Sequence, residues 1–397
     1  MSMIMEEYER RSNMGLNRIP NKFLCSQHIK DDSIRKFIDR KSMLGYCDYC
    51  ERDKKVITLE DVLFYIMDGV KFLYTEPVEF MAYDGSEGGY QGTTYYIDDV
   101  LFDHLELEID DNQLFRDIEG SLDYTKLWAD ETMYYDSKAD IMMYEWDYFK
   151  KVVKHRARYL FASSTKLESE EYRVNPFQIL ENIGRMCRTY KLVHPLDKGT
   201  KFYRCRQHDT ATIISSVEQI CAPPQQYVLS PNRMSPAGIS MFYGAFNEAT
   251  AFKETLDLSN TLQPKYTSAV FATKRDLKVI DLSLLPKIPS PFEQRKRKDY
   301  YPLIFLSDFV RDLSAPIERD GRVHIEYVPT QIITEYFRYT FSEYKNGENK
   351  IDGIIYPSAR NKGEKACVLF LDHEESIEEL EFDPALLKRG NVKKVVL

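Results

Sequence analysis

Asn232-Arg233-Met234-Ser235-Pro236-Ala237-Gly238 is the stretch on which the reading of this chain turns. It sets a cation inside a turn that Pro236 stiffens and Gly238 lets close. Tyr243 and Glu254 follow within one short span, and Arg204 and Arg206 precede it as a second cationic pair. Far downstream, Ser358 follows a hydrophobic run, flanked by Pro357 and Arg360, which mark it as a loop residue after a strand.

Around this stretch the chain reads as short strands broken by helices. Lys201 to Arg206, Met241 to Tyr243, Ala269 to Thr273, Val279 to Leu282, Gly353 to Tyr356 and Cys367 to Phe370 are β-prone. Ala249 to Thr255 and Ile332 to Phe337 read as helices. The mixture predicts one α+β domain. Val193 to Thr200, with Pro195 and Gly199, reads as a linker or domain entrance, and Arg295-Lys296-Arg297-Lys298 as an exposed loop.

The first half is helical in pattern. Leu59 to Leu73 has an apolar side at Leu59, Val62, Leu63, Ile66 and Val70, with Thr58 as cap and Asp61 in the first turn. Asp84 to Thr94 is a Gly-rich loop without the Gly-Lys-Ser ending of a phosphate-binding loop. A helix is expected within Val100 to Ile118. Met142 to Phe161 suits a packed helix with a solvated basic face, and Phe177 to Tyr190 another that starts at Asn175 and Pro176.

Ahead of these helices stand two close pairs, Cys25 with His28 and Cys47 with Cys50. Two chelating loops separated by a small helix suit tetrahedral zinc, and four protein ligands leave no open position for an activated water, so the expected role is structural. The alternative is an accidental grouping with His28 at the surface.

The chain has 397 residues, enough for two or three domains, and a formal charge of -9. That balance weighs against a broad nucleic-acid surface, though not against a local basic patch. The start carries no secretory signal pattern, and no stretch is long and apolar enough to span a bilayer. Seven cysteines without an export signal suggest reduced thiols in a cytoplasm.

Each residue of the first paragraph has an ordinary explanation. Arg204 and Arg206 could form surface ion pairs, Arg233 brace its turn, Tyr243 belong to the core, Glu254 face water from an amphipathic helix, and Ser358 only bend its turn. Taken together, their order resembles the RES domain family, named for its Arg, Glu and Ser. The matching pieces run from Phe202-Tyr203-Arg204-Cys205-Arg206 through the Asn232 to Gly238 turn, Met241-Phe242-Tyr243 and Ala249-Thr250-Ala251-Phe252-Lys253-Glu254. They continue in Tyr327-Val328-Pro329-Thr330-Gln331 and Asp352-Gly353-Ile354-Ile355-Tyr356-Pro357-Ser358, so the likeness covers roughly Lys198 to Leu371. One departure stands out: the family turn commonly has Trp ahead of Asn, whereas here Arg233 follows Asn232 and Met234 comes next.

The resemblance implies a fold related to ADP-ribosyltransferase toxins and consumption of NAD. It matches Arg204, Glu254 and Ser358 to the catalytic Arg, Glu and Ser, and Arg204, Arg206, Arg233, Tyr243 and Ser358 to NAD binding. It implies cleavage of the nicotinamide–ribose bond by an NAD phosphorylase or glycohydrolase, with phosphate as one acceptor, and a toxin or anti-phage effector. ADP-ribosyl transfer to a macromolecule is the enzymatic alternative. A non-catalytic zinc-containing sensor or RNA-associated module is the other.

The first half resembles the HEPN-type helical region found ahead of some RES domains, with Cys25-x-x-His28 where the first pair is usually Cys-x-x-Cys. The Arg and His motif of nuclease-active helical families is not evident near His155, which favours scaffolding, sensing or dimerising. The expected division is 1–58 with the zinc knuckle, 59–192 as the HEPN-like helical domain and 193–397 as the RES domain. A homo-oligomer or a regulatory protein partner is expected.

Overall fold

The structure, a computed structural model, describes residues 3–86, 88–161, 174–317, 321–342 and 350–395. The chain forms two compact units, Met1–Lys138 with Lys287–Pro302, and Ala139–Pro286 with Leu303–Leu397.

In the first unit, α1 (Met3–Asn13) precedes β1 (Phe23–Leu24), α2 (Asp32–Lys41), β2 (Met43–Cys47), β3 (Arg52–Thr58) and α3 (Leu59–Leu73). The strands form a small antiparallel sheet in the order β1-β3-β2. The start of α3 follows its sequence: Thr58 is extended and its hydroxyl accepts from the Asp61 N–H, satisfying one of the open donors of the first turn. Leu59, Val62, Leu63, Ile66 and Val70 are all buried, in a core shared with Trp128 and Phe292. Two two-stranded pairings follow, β4 (Tyr74–Thr75) with β7 (Ala129–Asp130) and β5 (Tyr83–Asp84) with β6 (Gly89–Tyr90). The Gly-rich stretch is thus a short hairpin, and the helix expected after it is α4 (Asn112–Glu119), preceded by a π-helical turn at Asp99–His104.

The second unit opens with α5 (Lys138–His155, of which Lys138 belongs to the first unit) and α6 (Pro176–Thr189). Asn175 caps α6 by accepting from the Phe177 N–H, with Pro176 in the first turn. The expected solvated basic face of α5 holds for Lys151 and His155, which are exposed, but not for Lys150 and Lys154. Lys150 pairs with Asp312 at 3.0 Å and Lys154 with Glu326 at 2.5 Å, so these cations bind acids within the unit.

The centre of this unit is a nine-stranded mixed sheet. Its strands are β8 (Val193–Leu196), β9 (Lys201–His208), β10 (Phe242–Ala245), β11 (Lys265–Thr273), β12 (Leu277–Asp281), β13 (Gly353–Pro357), β14 (Lys365–Leu369), β15 (Leu380–Phe382) and β16 (Lys388–Asn391). The order is β15-β11-β9-β10-β14-β13-β12-β8, with β16 also on β11. Only β12 and β13 run parallel among the paired strands described. Phe202, Phe242 and Phe271, all buried, pack ring to ring across the three consecutive strands β10, β9 and β11; each such burial contributes roughly 1.5–3 kcal/mol.

Two expectations are overturned here. Val193 to Thr200 is not a free linker: its first residues form β8, with Pro195 opposite Lys278 on β12. Proline lacks an N–H for a ladder on both sides, and β8 lies at the sheet edge where one side suffices. Nor is Arg295-Lys296-Arg297-Lys298 a loop. It enters α8 (Arg297–Ser314), and Arg297 donates to the Asp68 carboxylate at 2.6 Å. Residues 297–302 of this helix belong to the first unit and the rest to the second. Short helices α7 (Glu248–Thr255), α9 (Val323–Glu326), α10 (Val328–Glu335) and α11 (His373–Glu379) complete the unit, and α10 begins earlier than Ile332 because Pro329 fits its first turn. Among the described residues no helix is long and apolar enough to cross a membrane.

Candidate active site and metal centre

The sheet opens on one side into a cavity of about 680 Å³. Arg204 from β9, Arg233 from its turn, Tyr243 from β10 and Glu254 from α7 all line it. The volume falls within the range of about 300–1,000 Å³ usual for small-molecule sites.

Both arginines are anchored by main-chain carbonyls. Arg204 donates from Nε to Ile220 and from Nη1 to Tyr243, each at 2.7 Å. Arg233 donates to Leu313 at 2.9 Å and Ala315 at 2.8 Å, capping the end of α8. A guanidinium has five N–H donors, so each retains donors for an anionic ligand. Burial lowers the Arg204 pKa to about 10, which leaves it a cation at neutral pH. A third cation on the lining is Arg360, which is exposed.

The Arg233 turn is clamped from α10. Gln331 Nε2 donates to the Asn232 carbonyl at 2.9 Å and to that of Ser235 at 3.3 Å, while the Thr330 hydroxyl donates to the Arg233 carbonyl. The Asn232 N–H closes the turn on the Ser235 carbonyl at 2.8 Å, and Gly238 takes a positive φ of 85°. Met234 is buried, with the Thr334 hydroxyl donating to its sulfur at 3.3 Å; it serves the core and not the cavity. The Tyr243 hydroxyl lies 2.9 Å from the Ser235 hydroxyl and accepts from the Met234 N–H at 3.2 Å. Its burial raises its pKa to about 12, so the ring stays neutral.

Glu254 is held from the loop after β13. The Ser358 hydroxyl donates to its Oε1, and Ser358 Oγ in turn accepts from the Asn361 N–H at 3.0 Å. This loop is tied to α7 at further points: Asn361 Nδ2 donates to Thr250 at 2.7 Å, Lys253 Nζ to Asn361 at 3.1 Å, and Asn247 Nδ2 to Glu364 at 2.7 Å. Ser358 thus meets the cavity through Glu254; it is buried and is not itself on the lining. Arg206 stands apart from the cavity. It is exposed, donates to the Gln219 carbonyl, and lines a neighbouring cavity of about 360 Å³ that shares Arg204.

Tyr327 and Tyr356 also line the main cavity; both lie in the matching pieces, but neither was assigned to the site from the sequence. Tyr327 lies under the Arg233 guanidinium at 5.6 Å. Tyr356 is buried, which pushes its hydroxyl well above the ordinary range.

In the first unit, one ligand atom from each of Cys25, His28, Cys47 and Cys50 lies within 4.8 Å of the other three. Cys25 Sγ is 3.9 Å from Cys50 Sγ, and Cys47 Sγ is 3.4 Å from His28 Nε2. Zinc–ligand bonds of about 2.0–2.3 Å in a tetrahedron place ligand atoms about 3.3–3.8 Å apart. The grouping therefore fits a tetrahedral metal with only slight contraction. Burial lowers the His28 pKa, which favours the neutral, ligating imidazole. At Cys47 burial raises the thiol pKa, but N–H groups from Cys50, Tyr49 and Cys25 outweigh it and hold it below the ordinary value, as a ligating thiolate needs.

Comparison with known families agrees with both halves. The model of the HEPN/RES N-terminal domain 1 matches residues 40–167, and that of the RES domain matches residues 201–385. The chain carries a HEPN/RES N-terminal domain and a RES domain. The RES family is linked to NAD-related toxin and defence activity. A search of curated proteins finds no match.

Proposed function

We propose that this protein degrades NAD by cleaving the nicotinamide–ribose bond. The observation that carries the reading is that Arg204, Arg233, Tyr243 and Glu254 line one cavity. The free donors of the two anchored guanidinium groups suit a pyrophosphate. Tyr243 packs the ring end of the ligand. Glu254, steadied by Ser358, stabilises the positive charge that grows on the ribose as the bond stretches.

In this step the C1–N bond breaks and its electron pair leaves with nicotinamide, which departs neutral. An acceptor oxygen forms the new bond to C1 and gives up its proton to solvent. Phosphate yields ADP-ribose 1''-phosphate, and water yields ADP-ribose. Draining NAD harms the cell that makes the enzyme, so the role that fits is a toxin or anti-phage effector acting in a cytoplasm. Residues 193–397 are the catalytic domain in this reading. Cys25, His28, Cys47 and Cys50 would hold a structural zinc, which braces the knuckle of residues 1–58 and takes no part in the chemistry.

Incubation with NAD, with and without phosphate, followed by product separation tests the reading. The sugar product names the acceptor. Label retained on protein or nucleic acid would point to ADP-ribosyl transfer instead, and intact NAD in every arm to a non-catalytic sensor.

A further inference from the structure

β2 is an edge strand of the small sheet, and the structure leaves that edge open. Met43 to Tyr46 make no main-chain hydrogen bond outside the ladder to β3 among the described residues. Proteins usually blunt such an edge with a charge, a proline or a bulge. Met43-Leu44-Gly45-Tyr46-Cys47 has no charge and no proline, and its register with β3 is unbroken. Leu44 and Tyr46 share a face of the strand and are 85% and 53% exposed.

We infer that this edge pairs with the same edge of a second copy, antiparallel about a twofold axis at Gly45. The sequence is self-complementary in that register. Leu44 of each copy meets Tyr46 of the other, an aliphatic–aromatic cross-strand pair made twice. The two Gly45 residues meet at the axis; the missing side chain serves the chain's own packing, since a Cβ there would lie 2.8 Å from Val56 Cγ2. The strand is preceded by Asp39, Arg40 and Lys41, net positive, and followed by Asp48, Glu51 and Arg52, net negative. An antiparallel partner sets unlike charges together at both ends, which selects a second copy of this chain as the occupant. The strip is short beside the roughly 1,200–2,000 Å² of stable interfaces, so association is weak and concentration-dependent.

Sedimentation of the full zinc-loaded chain over a wide concentration range tests this. The wild type should climb from the mass of one chain toward two. L44K/Y46K should stay at one, because both 44-to-46 cross-axis pairs become repulsions. L44K/Y46E should still associate, because the introduced lysine of each copy then faces the introduced glutamate of the other, and this association should weaken with salt. Far-UV dichroism and zinc content equal to wild type certify each fold. As a measurement independent of charge, L44C/Y46C should give a covalent dimer on mild oxidation with a 44-to-46 link in peptide maps, against a wild-type control for the native cysteines. A wild type that remains one chain throughout, or an L44K/Y46K variant that associates normally, overturns the interface. Loss of association in L44K/Y46E overturns the register.

Discussion

The Ser358 hydroxyl donates to the Glu254 carboxylate, joining residues 104 positions apart at the wall of one cavity. The same oxygen of Ser358 accepts main-chain N–H groups from its own loop, so the serine is a rigid peg between loop and helix. Its part in the proposed reaction is to aim Glu254.

Ser358→Ala removes the peg and leaves the acid. The expected effect is a fall in kcat of about 10- to 100-fold, the kinetic equivalent of losing one hydrogen bond worth about 1–3 kcal/mol. KM for NAD should change much less. Steady-state kinetics on folded protein check this, and an unchanged kcat would remove Ser358 from the mechanism.

Gln331 touches no ligand, yet it grips both ends of the Asn232 to Ser235 turn. Gln331→Leu removes this donor from the carbonyl of the exposed Asn232 and from that of the buried Ser235, which keeps the Asn232 N–H, so it should cost about 0.5–1.5 kcal/mol of stability. Freed from the clamp, Arg233 should hold NAD less well, and KM should rise more than kcat falls. Thermal melts and saturation kinetics read the two effects separately.

The pH response follows from Arg204. Burial sets its folded pKa at about 10, so it is a cation below that pH and becomes neutral above it. Binding of the anionic pyrophosphate therefore holds at neutral pH and weakens as pH rises through about 10. NAD titrations between pH 7 and 11 should show this limb; flat affinity across that range, with the fold intact, would show that Arg204 stays charged throughout.

Metal removal probes the other unit. The wild type should carry about one zinc per chain, and Cys47→Ser should lose most of it and destabilise the first unit. Metal analysis with limited proteolysis checks this, and unchanged zinc in the variant would reject the ligand set.

Much of this architecture is written locally in the chain. Thr58 and Asn175 announced α3 and α6 because a capping side chain acts on N–H groups two or three residues away. The cysteine and histidine pairs were legible for the same reason. What was hidden depends on distant partners. Pro195 reads as a breaker until β8 is known to be an edge, and Arg297 reads as loop charge until Asp68 is beside it. Arg204, Arg233, Glu254 and Ser358 could be named as a set only through a family resemblance, because their convergence needs the sheet and the 358–364 loop to fold first. Tyr327 and Tyr356 stood in the matching pieces, but nothing local marked them as site residues, since aromatic residues are common throughout this chain.

The most direct measurement is release of nicotinamide from NAD by the wild type and by Glu254→Gln, which keeps the shape and removes the charge. The account expects ready release by the wild type and a loss of about 100- to 1,000-fold in a variant that folds and still binds NAD. Intact NAD with the wild type under both water and phosphate, or undiminished release by Glu254→Gln, would contradict it.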